Sequence, residues 1–244
     1  MPEQEPWLTA LFNEHLAGVA NSVLNAVHYK VEDPAHPWAT WMVMELLVVA
    51  FIVILFAVLR PKLSVDKPGG LQHVFESFYN FFKVTTDEAG IHHGERFIPY
   101  FGTIFIFILF MNLLGIIPTF ESPTMSASVT LGLALCTFLF YNAAGVKANG
   151  PGYLKQFLGP VLFLAPLMII IEIISHLARP LSLTIRLYAN MMAGDQVTGA
   201  FEKVVPLVVP VIFMGLHVFV AFLQAYIFML LSIVYVSGAV SHEH

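Results

Sequence analysis

Arg179–Pro180–Leu181–Ser182–Leu183–Thr184–Ile185–Arg186–Leu187–Tyr188–Ala189–Asn190 is the stretch whose reading decides the fold. It lies in one of the most apolar regions of an apolar chain, and its guanidinium stays charged at any physiological pH. Read as a solvated loop, it divides the region near 157–201 into two short spans. Read as helix, it puts Arg186 inside the membrane, where an arginine near the centre costs at least about 2.5–3.5 kcal/mol. Topology weakens the loop reading, because a break there leaves the fourth span's far end on the wrong side. A fixed charge in that place suggests a task that needs one, such as attracting or holding off a charge moving through the membrane.

Working outward, the 244 residues are 58% apolar and only 11% charged, where a soluble domain carries about a quarter charged residues. The expected fold is an all-α integral membrane protein. Helices satisfy their own backbone in lipid, and the alternating pattern of a membrane β-barrel is absent. Apolar runs near 40–59, 97–119, 125–146, 157–201 and 205–240 predict about five transmembrane spans in a single helical membrane domain, 40–244. The last two are too long for a perpendicular crossing: 36 helical residues reach about 54 Å against a hydrocarbon core of about 30 Å. They are expected to tilt steeply, kink or break, with Pro166, Pro180, Pro206 and Pro210 as available points.

Residues 69–83 have apolar side chains at helical spacing after Pro68–Gly69–Gly70, which predicts an amphipathic helix on the cytoplasmic surface or a partner-docking helix. Residues 1–39 read as an extracytoplasmic segment with a short helix and a linker. The acidic start has no basic n-region, so no cleaved signal peptide is expected. A net charge of −5 argues against nucleic acid. Cys136 is the single cysteine and cannot form an internal disulfide.

Arg60, Lys62, Lys67, Lys83, Arg96, Lys147 and Lys155 share one side under five spans, which makes that side cytoplasmic. Lys30 and Lys203 fall opposite, among Glu3, Glu5, Glu14, Glu32, Asp33 and Glu121. The N-terminus is then outside and the C-terminus inside.

Helical phase sorts the polar residues. Ser182, Arg186 and Asn190 are i+4 neighbours on one stripe. Asp195 lies about 900° beyond Arg186 and falls on the opposite face. His217, Gln224 and Tyr235 align on the last helix. The expected seam turns Asp195 toward His217 and Arg186 away. The blander readings are satisfied core residues for His217 and Gln224 and an interfacial anchor for Tyr235. Glu172 and His176 sit one turn apart, but no third metal ligand is evident, and Glu172 reads as a water-access or proton-relay group. His92, His93, His242 and His244 read as solvated. No nucleophile elbow, phosphate loop or Cys-x-x-Cys occurs.

The segments 182–195, 217–235 and Asn112–Leu113–Leu114–Gly115–Ile116–Ile117–Pro118 together resemble the a subunit of F-type ATP synthases, the stator half of a membrane proton channel. The likeness covers most of 97–240 in order, while 1–96 match in topology and character. It implies that Arg186 is the stator arginine facing the carboxylates of a rotating c-ring, with Ser182 and Asn190 as polar neighbours. It implies that Asp195, His217 and Gln224 line a half-channel from outside, with Tyr235 further along, and that Glu172 belongs to a cytoplasmic half-channel. Small residues Ala189, Ala193 and Gly194 permit close approach of a sliding neighbour.

The implied partners are the c-ring, the b-subunit peripheral stalk, the lipid bilayer and protons. No cofactor and no catalysis by this chain alone are implied, and the location is a bacterial plasma (inner) membrane. Two departures stand out: Asp195 where bacterial relatives commonly carry Glu, and Arg179 where Lys is frequent. The alternatives are a secondary cation/proton antiporter, for which no repeated halves are visible, an intramembrane metalloprotease and a plain anchor.

Overall fold

The computed structural model describes residues 6–26, 34–65, 68–91, 94–117, 120–150, 152–153, 165–202 and 208–240, and every regular element among them is helical. The α-helices are α1 (Trp7–Ala26), α2 (Thr40–Leu59), α3 (Gly70–Glu88), α4 (Ile98–Leu114), α5 (Ala127–Asn149), α6 (Ala165–Glu202) and α7 (Val208–Val240). Single 3-10 turns occupy Arg60–Lys62, Gly94–Phe97 and Pro123–Met125. Five segments are long and apolar enough to cross a membrane: Thr40–Lys62, Gly94–Leu114, Ala127–Asn149, Leu167–Phe201 and Val211–Val240. This is the all-α membrane architecture expected from composition and periodicity.

α4 packs against α2, α3 and α7, and α5 packs against α6 and α7. Phe101, Phe105, Ile108 and Met111 of α4 are fully buried beside Met44 and Val48 of α2 and Phe82 of α3. Phe105 touches Phe82 and Phe222 edge-on, at 5.5 and 5.8 Å between ring centres. On α6 the buried row is Leu183, Leu187 and Met191, each four residues on from the last; α7 answers with Ala225, Phe228, Met229 and Ile233. Outward-facing Val53, Ile54, Leu139, Ile174 and Ile212 are mostly exposed. On a membrane protein such residues meet acyl chains, so they carry no penalty.

The long regions do not break. α6 runs 38 residues and α7 runs 33, about 57 and 50 Å at 1.5 Å per residue. Pro166 and Pro210 fall in first turns, where a missing N–H costs nothing. Pro180 lies inside α6 and withholds a donor from the His176 carbonyl, yet the helix continues through it. The Thr184 hydroxyl donates to the Pro180 carbonyl at 2.8 Å. Helices this long fit a core of about 30 Å only if inclined. Pro206 and the expected starts at 157–164 and 205–207 lie outside the described residues, as do Lys30, Lys67, His92, His93, Lys155, Lys203, His242 and His244.

α1 has 20 residues, longer than the short helix expected. Its Asn13 is clamped to the start of α2: Oδ1 accepts from the Trp38 backbone N–H at 2.9 Å, and Nδ2 donates to the Trp38 carbonyl at 3.2 Å. α3 forms where the amphipathic pattern predicts and extends beyond residue 83 to Glu88. It stops before Gly90, whose φ of 73° suits a residue without a Cβ. Between α4 and α5, Gly115 is required, because a Cβ there would lie 2.7 Å from Ser122 Cβ.

Candidate functional site

Two polar clusters sit at opposite ends of α6, with Arg186 between them. The first lies on the α6–α7 seam. Asn190 Nδ2 donates to Gln224 Oε1 at 2.9 Å. A cavity of about 420 Å³ opens beside this bond, lined by Asn190, Gly194 and Thr198 of α6 and by Leu216, His217 and Gln224 of α7. Gln224 Nε2 and His217 Nε2 are buried there with no hydrogen-bond partner among the described residues. An unsatisfied buried polar group costs about 1–3 kcal/mol, and holding a bridging water costs at most about 2. The cavity has room for water and offers it Asn190, Thr198, His217 and Gln224 within an otherwise apolar lining.

α4 braces this seam. Asn112 is fully buried and donates through Nδ2 to the Ala221 carbonyl at 3.4 Å, one turn from both His217 and Gln224. Its Oδ1 accepts from the Thr124 hydroxyl at 2.7 Å, and Ser122 Oγ lies 2.7 Å from Thr124 Oγ1. The motif at 112–118 thus ties α4 and the turn before α5 to the middle of α7.

Helical phase alone does not fix how these groups meet across the seam. Asn190 shares Arg186's stripe, yet its side chain reaches Gln224 of α7, so the stripe borders the seam at that end. Asp195 is exposed and makes no ion pair with His217; it lies near enough for its charge to act on the ring. The residue against His217 is Gly194, where a Cβ would stand 3.4 Å from Cε1. The ring would meet that Cβ at an ordinary contact distance. α6 and α7 cross with a local geometry that a 100° phase count does not contain.

Arg186 is half-buried, Ser182 one turn before it is exposed, and among the described residues no carboxylate lies within ion-pair range of the Arg186 guanidinium.

The second cluster joins α5, α6 and α7. Glu172 Oε1 and Arg179 Nη2 are 3.8 Å apart, a long and partly exposed pair. Arg179 lies over the rings of Tyr235 and Tyr141, at 5.2 and 5.8 Å. Tyr235 therefore belongs with Arg179 and not with His217 and Gln224, although all three share a face of α7; its eighteen-residue offset is about 27 Å of helix. Asn142 Oδ1 accepts from the Tyr153 hydroxyl at 2.8 Å and lies 2.9 Å from His176 Nε2. Burial holds the Tyr153 phenol above its ordinary value, while the Arg179 charge pulls it partly back. Asn142, His176 and Tyr153 had no assigned role from sequence. The available signal was an amide within an apolar span, but its partners lie 11 and 34 residues away.

Cross-links assign the ends. Ser237 Oγ donates to the Ala89 carbonyl at 2.6 Å, and Asn149 Nδ2 to the Ala239 carbonyl at 3.0 Å. The ends of α3, α5 and α7 therefore meet, together with Lys147 and the Lys83–Glu95 pair at 2.6 Å. The Glu172 cluster lies toward this basic end. Among the described residues no three of His, Cys, Asp and Glu gather as for a metal ion.

Comparison with known proteins adds the wider context. The sequence model described as ATP synthase A chain matches residues 41–237. ATP synthase subunit a of Solibacter usitatus (strain Ellin6076) is 59% identical over 235 residues, covering 96% of this chain and all of that protein. The subunit of the same name from Koribacter versatilis (strain Ellin345) is 49% identical over 245 residues, with both chains fully covered. That from Sulfurihydrogenibium sp. (strain YO3AOP1) is 40% identical over 204 residues, 83% of this chain and 98% of that one.

Proposed function

We propose, for a chain that belongs to the ATP synthase A chain family, that the two polar clusters of α6 are two offset proton half-channels separated by Arg186. The protein is a multi-pass membrane component of the proton-translocating F-type ATP synthase and is not catalytic alone. That membership sets aside the cation/proton antiporter.

The observation that carries the proposal is Arg186 itself: a half-buried guanidinium, lacking a carboxylate partner among the described residues, on a helix with polar clusters at both ends. A carboxylate on a neighbouring chain supplies the missing partner, and a rotating c-ring presents such groups in turn. A proton enters through water beside Asp195, His217, Asn190 and Gln224 and neutralises a ring carboxylate. The neutral acid then enters lipid without the cost of a bare charge. A ring carboxylate arriving from the other direction loses its proton toward Glu172.

Arg186 favours the ionised ring carboxylate by lowering its pKa, and it repels a proton that would cross directly. The exposed Ser182 and Asn190 beside it keep the pair hydrated and transient. Each proton carries about 2.3 kcal/mol per 100 mV, which a direct leak would dissipate. The b-subunit stalk holds the chain against the turning ring. The basic end faces the cytoplasm of a bacterial cell, with the N-terminus outside.

The test is proton movement in vesicles carrying the assembled complex. Arg186→Ala is expected to abolish ATP-driven pumping while assembly survives and passive leak rises. Unchanged pumping would remove Arg186 from the mechanism.

A further inference from the structure

We propose that the groove between α2, α3 and α4 holds one acyl chain of an anionic phospholipid, whose phosphate is bound by Arg60 and Lys62. The groove measures about 910 Å³, within the roughly 300–1,000 Å³ of small-molecule sites. Ile52 and Phe56 of α2, Phe75 and Phe78 of α3 and Ile106 of α4 make its walls apolar. Phe56 and Phe75 meet at 5.3 Å between ring centres, which closes α2 onto α3. Ser64, Gln72 and Glu76 give the lining a bonded polar edge. Gln72 Oε1 accepts from the Ser64 backbone N–H at 3.0 Å, while Nε2 donates to the Ser64 carbonyl at 3.0 Å and to Glu76 Oε1 at 2.7 Å. These bonds tie the segment that follows Arg60–Lys62 to α3, and so set both cations beside the groove.

The extent of the groove identifies its occupant. Its lining on α4 runs from Ile98 to Ile106, and on α2 from Ile52 to Phe56, next to Arg60. The stretch on α4 is about 12 Å of helix, close to half of a hydrocarbon core of about 30 Å. The groove therefore covers one leaflet at the basic end of the bundle, which is the reach of a single lipid tail. A membrane-spanning helix of another subunit would need a groove along the whole of α2.

Charge selects the headgroup. Arg60 and Lys62 are exposed on the 3-10 turn that ends α2, and they make no ion pair among the described residues. A guanidinium meets a phosphate through two parallel N–H donors, and an ammonium adds a point charge. The acid in the lining, Glu76, is engaged by Gln72 and lies 3.8 Å from His73 Nδ1. Two cations thus face one occupied carboxylate, and the balance favours an anion. Basic pockets between membrane helices on the cytoplasmic side are a recurrent setting for such headgroups. A zwitterionic headgroup brings its own cation to the same place and is disfavoured.

The test uses the assembled complex in phosphatidylcholine vesicles that contain a minor fraction of phosphatidylglycerol with a photoreactive acyl chain. After illumination, label is expected on the groove residues of both α3 and α4. A photoreactive phosphatidylcholine in its place should label them at least about fivefold less. Arg60→Gln and Lys62→Gln should each lower the labelling about fivefold, the share of one cation beside an anionic lipid. Thr103→Trp fills the groove from an exposed position on α4. It is expected to remove the label from α3 while ATP-driven pumping, the sign of an assembled complex, persists. Equal labelling by the two headgroups, or labelling unmoved in the Gln variants, overturns the anionic site. Absence of label from the groove overturns the lipid and gives the groove to another subunit. Should the variants fail to assemble, the wild-type complex decides. Replacing part of the phosphatidylcholine by unlabelled phosphatidylglycerol should displace the probe, and undiminished labelling overturns the proposal.

Discussion

Gly194 has no side chain in the place where His217 lies. A Cβ there would be 3.4 Å from the ring, an ordinary contact. Gly194→Ala is therefore expected to assemble and pump normally, with a helix-propensity gain of up to about 1 kcal/mol. Gly194→Leu drives the ring aside and fills the cavity, and ATP-driven pumping is expected to drop at least about tenfold with assembly kept. Gln224 gives the complementary test. Gln224→Leu keeps the volume but deprives Asn190 of its acceptor, whereas Gln224→Glu keeps the acceptor. Pumping should fall several-fold in the first variant and less in the second. Arg186, Asn190, His217 and Gln224 were legible as candidates because each is a polar group at helical spacing in an apolar run. Whether Asp195 or Gly194 meets His217 was not legible, since that depends on how two helices cross.

At the scale of elements, α7 is placed by α4 through one buried amide. Asn112→Leu removes the buried acceptor that the Thr124 hydroxyl meets at 2.7 Å, leaving it Ser122 Oγ as the alternative. The expected cost is about 0.5–1.5 kcal/mol, read as a lower thermal midpoint for loss of proton flux, with Asn112→Asp closer to wild type. α3 is pinned differently, by Lys83 to Glu95. The hydrogen bond and the charge of Glu95 raise Lys83 above its ordinary 10.5. A cation with a raised folded value contributes fully below its unfolded value, and that contribution fades as pH rises through the folded one. Protease sensitivity of α3 should therefore stay flat from pH 6 to 9 and increase only above about 10.5. Lys83→Met should abolish that alkaline rise. The extent of α3 was nearly readable from its apolar spacing, and the persistence of α6 through Pro180 was not. A proline removes one hydrogen bond, and packing of Leu183, Leu187 and Met191 outweighs that loss.

For the whole molecule, the proposed orientation has a direct measurement. In a Cys136→Ser background, Glu14→Cys should react with an impermeant maleimide from outside intact cells, and Lys147→Cys only in inverted vesicles. The reverse pattern would turn the topology over. The sequence by itself determined the helical membrane class, the spans, the presence of the amphipathic helix α3 and the candidate arginine. These depend on local quantities: apolar length, 3.6-residue periodicity and the position of charges along the chain. Only the tertiary structure decided which polar residues become neighbours. It moved Tyr235 to Arg179, set Gly194 against His217, and joined Asn142 of α5 to His176 of α6 across 34 residues. The physical reason is that contacts between helices follow from crossing geometry and close packing, and neither is a property of any single helix.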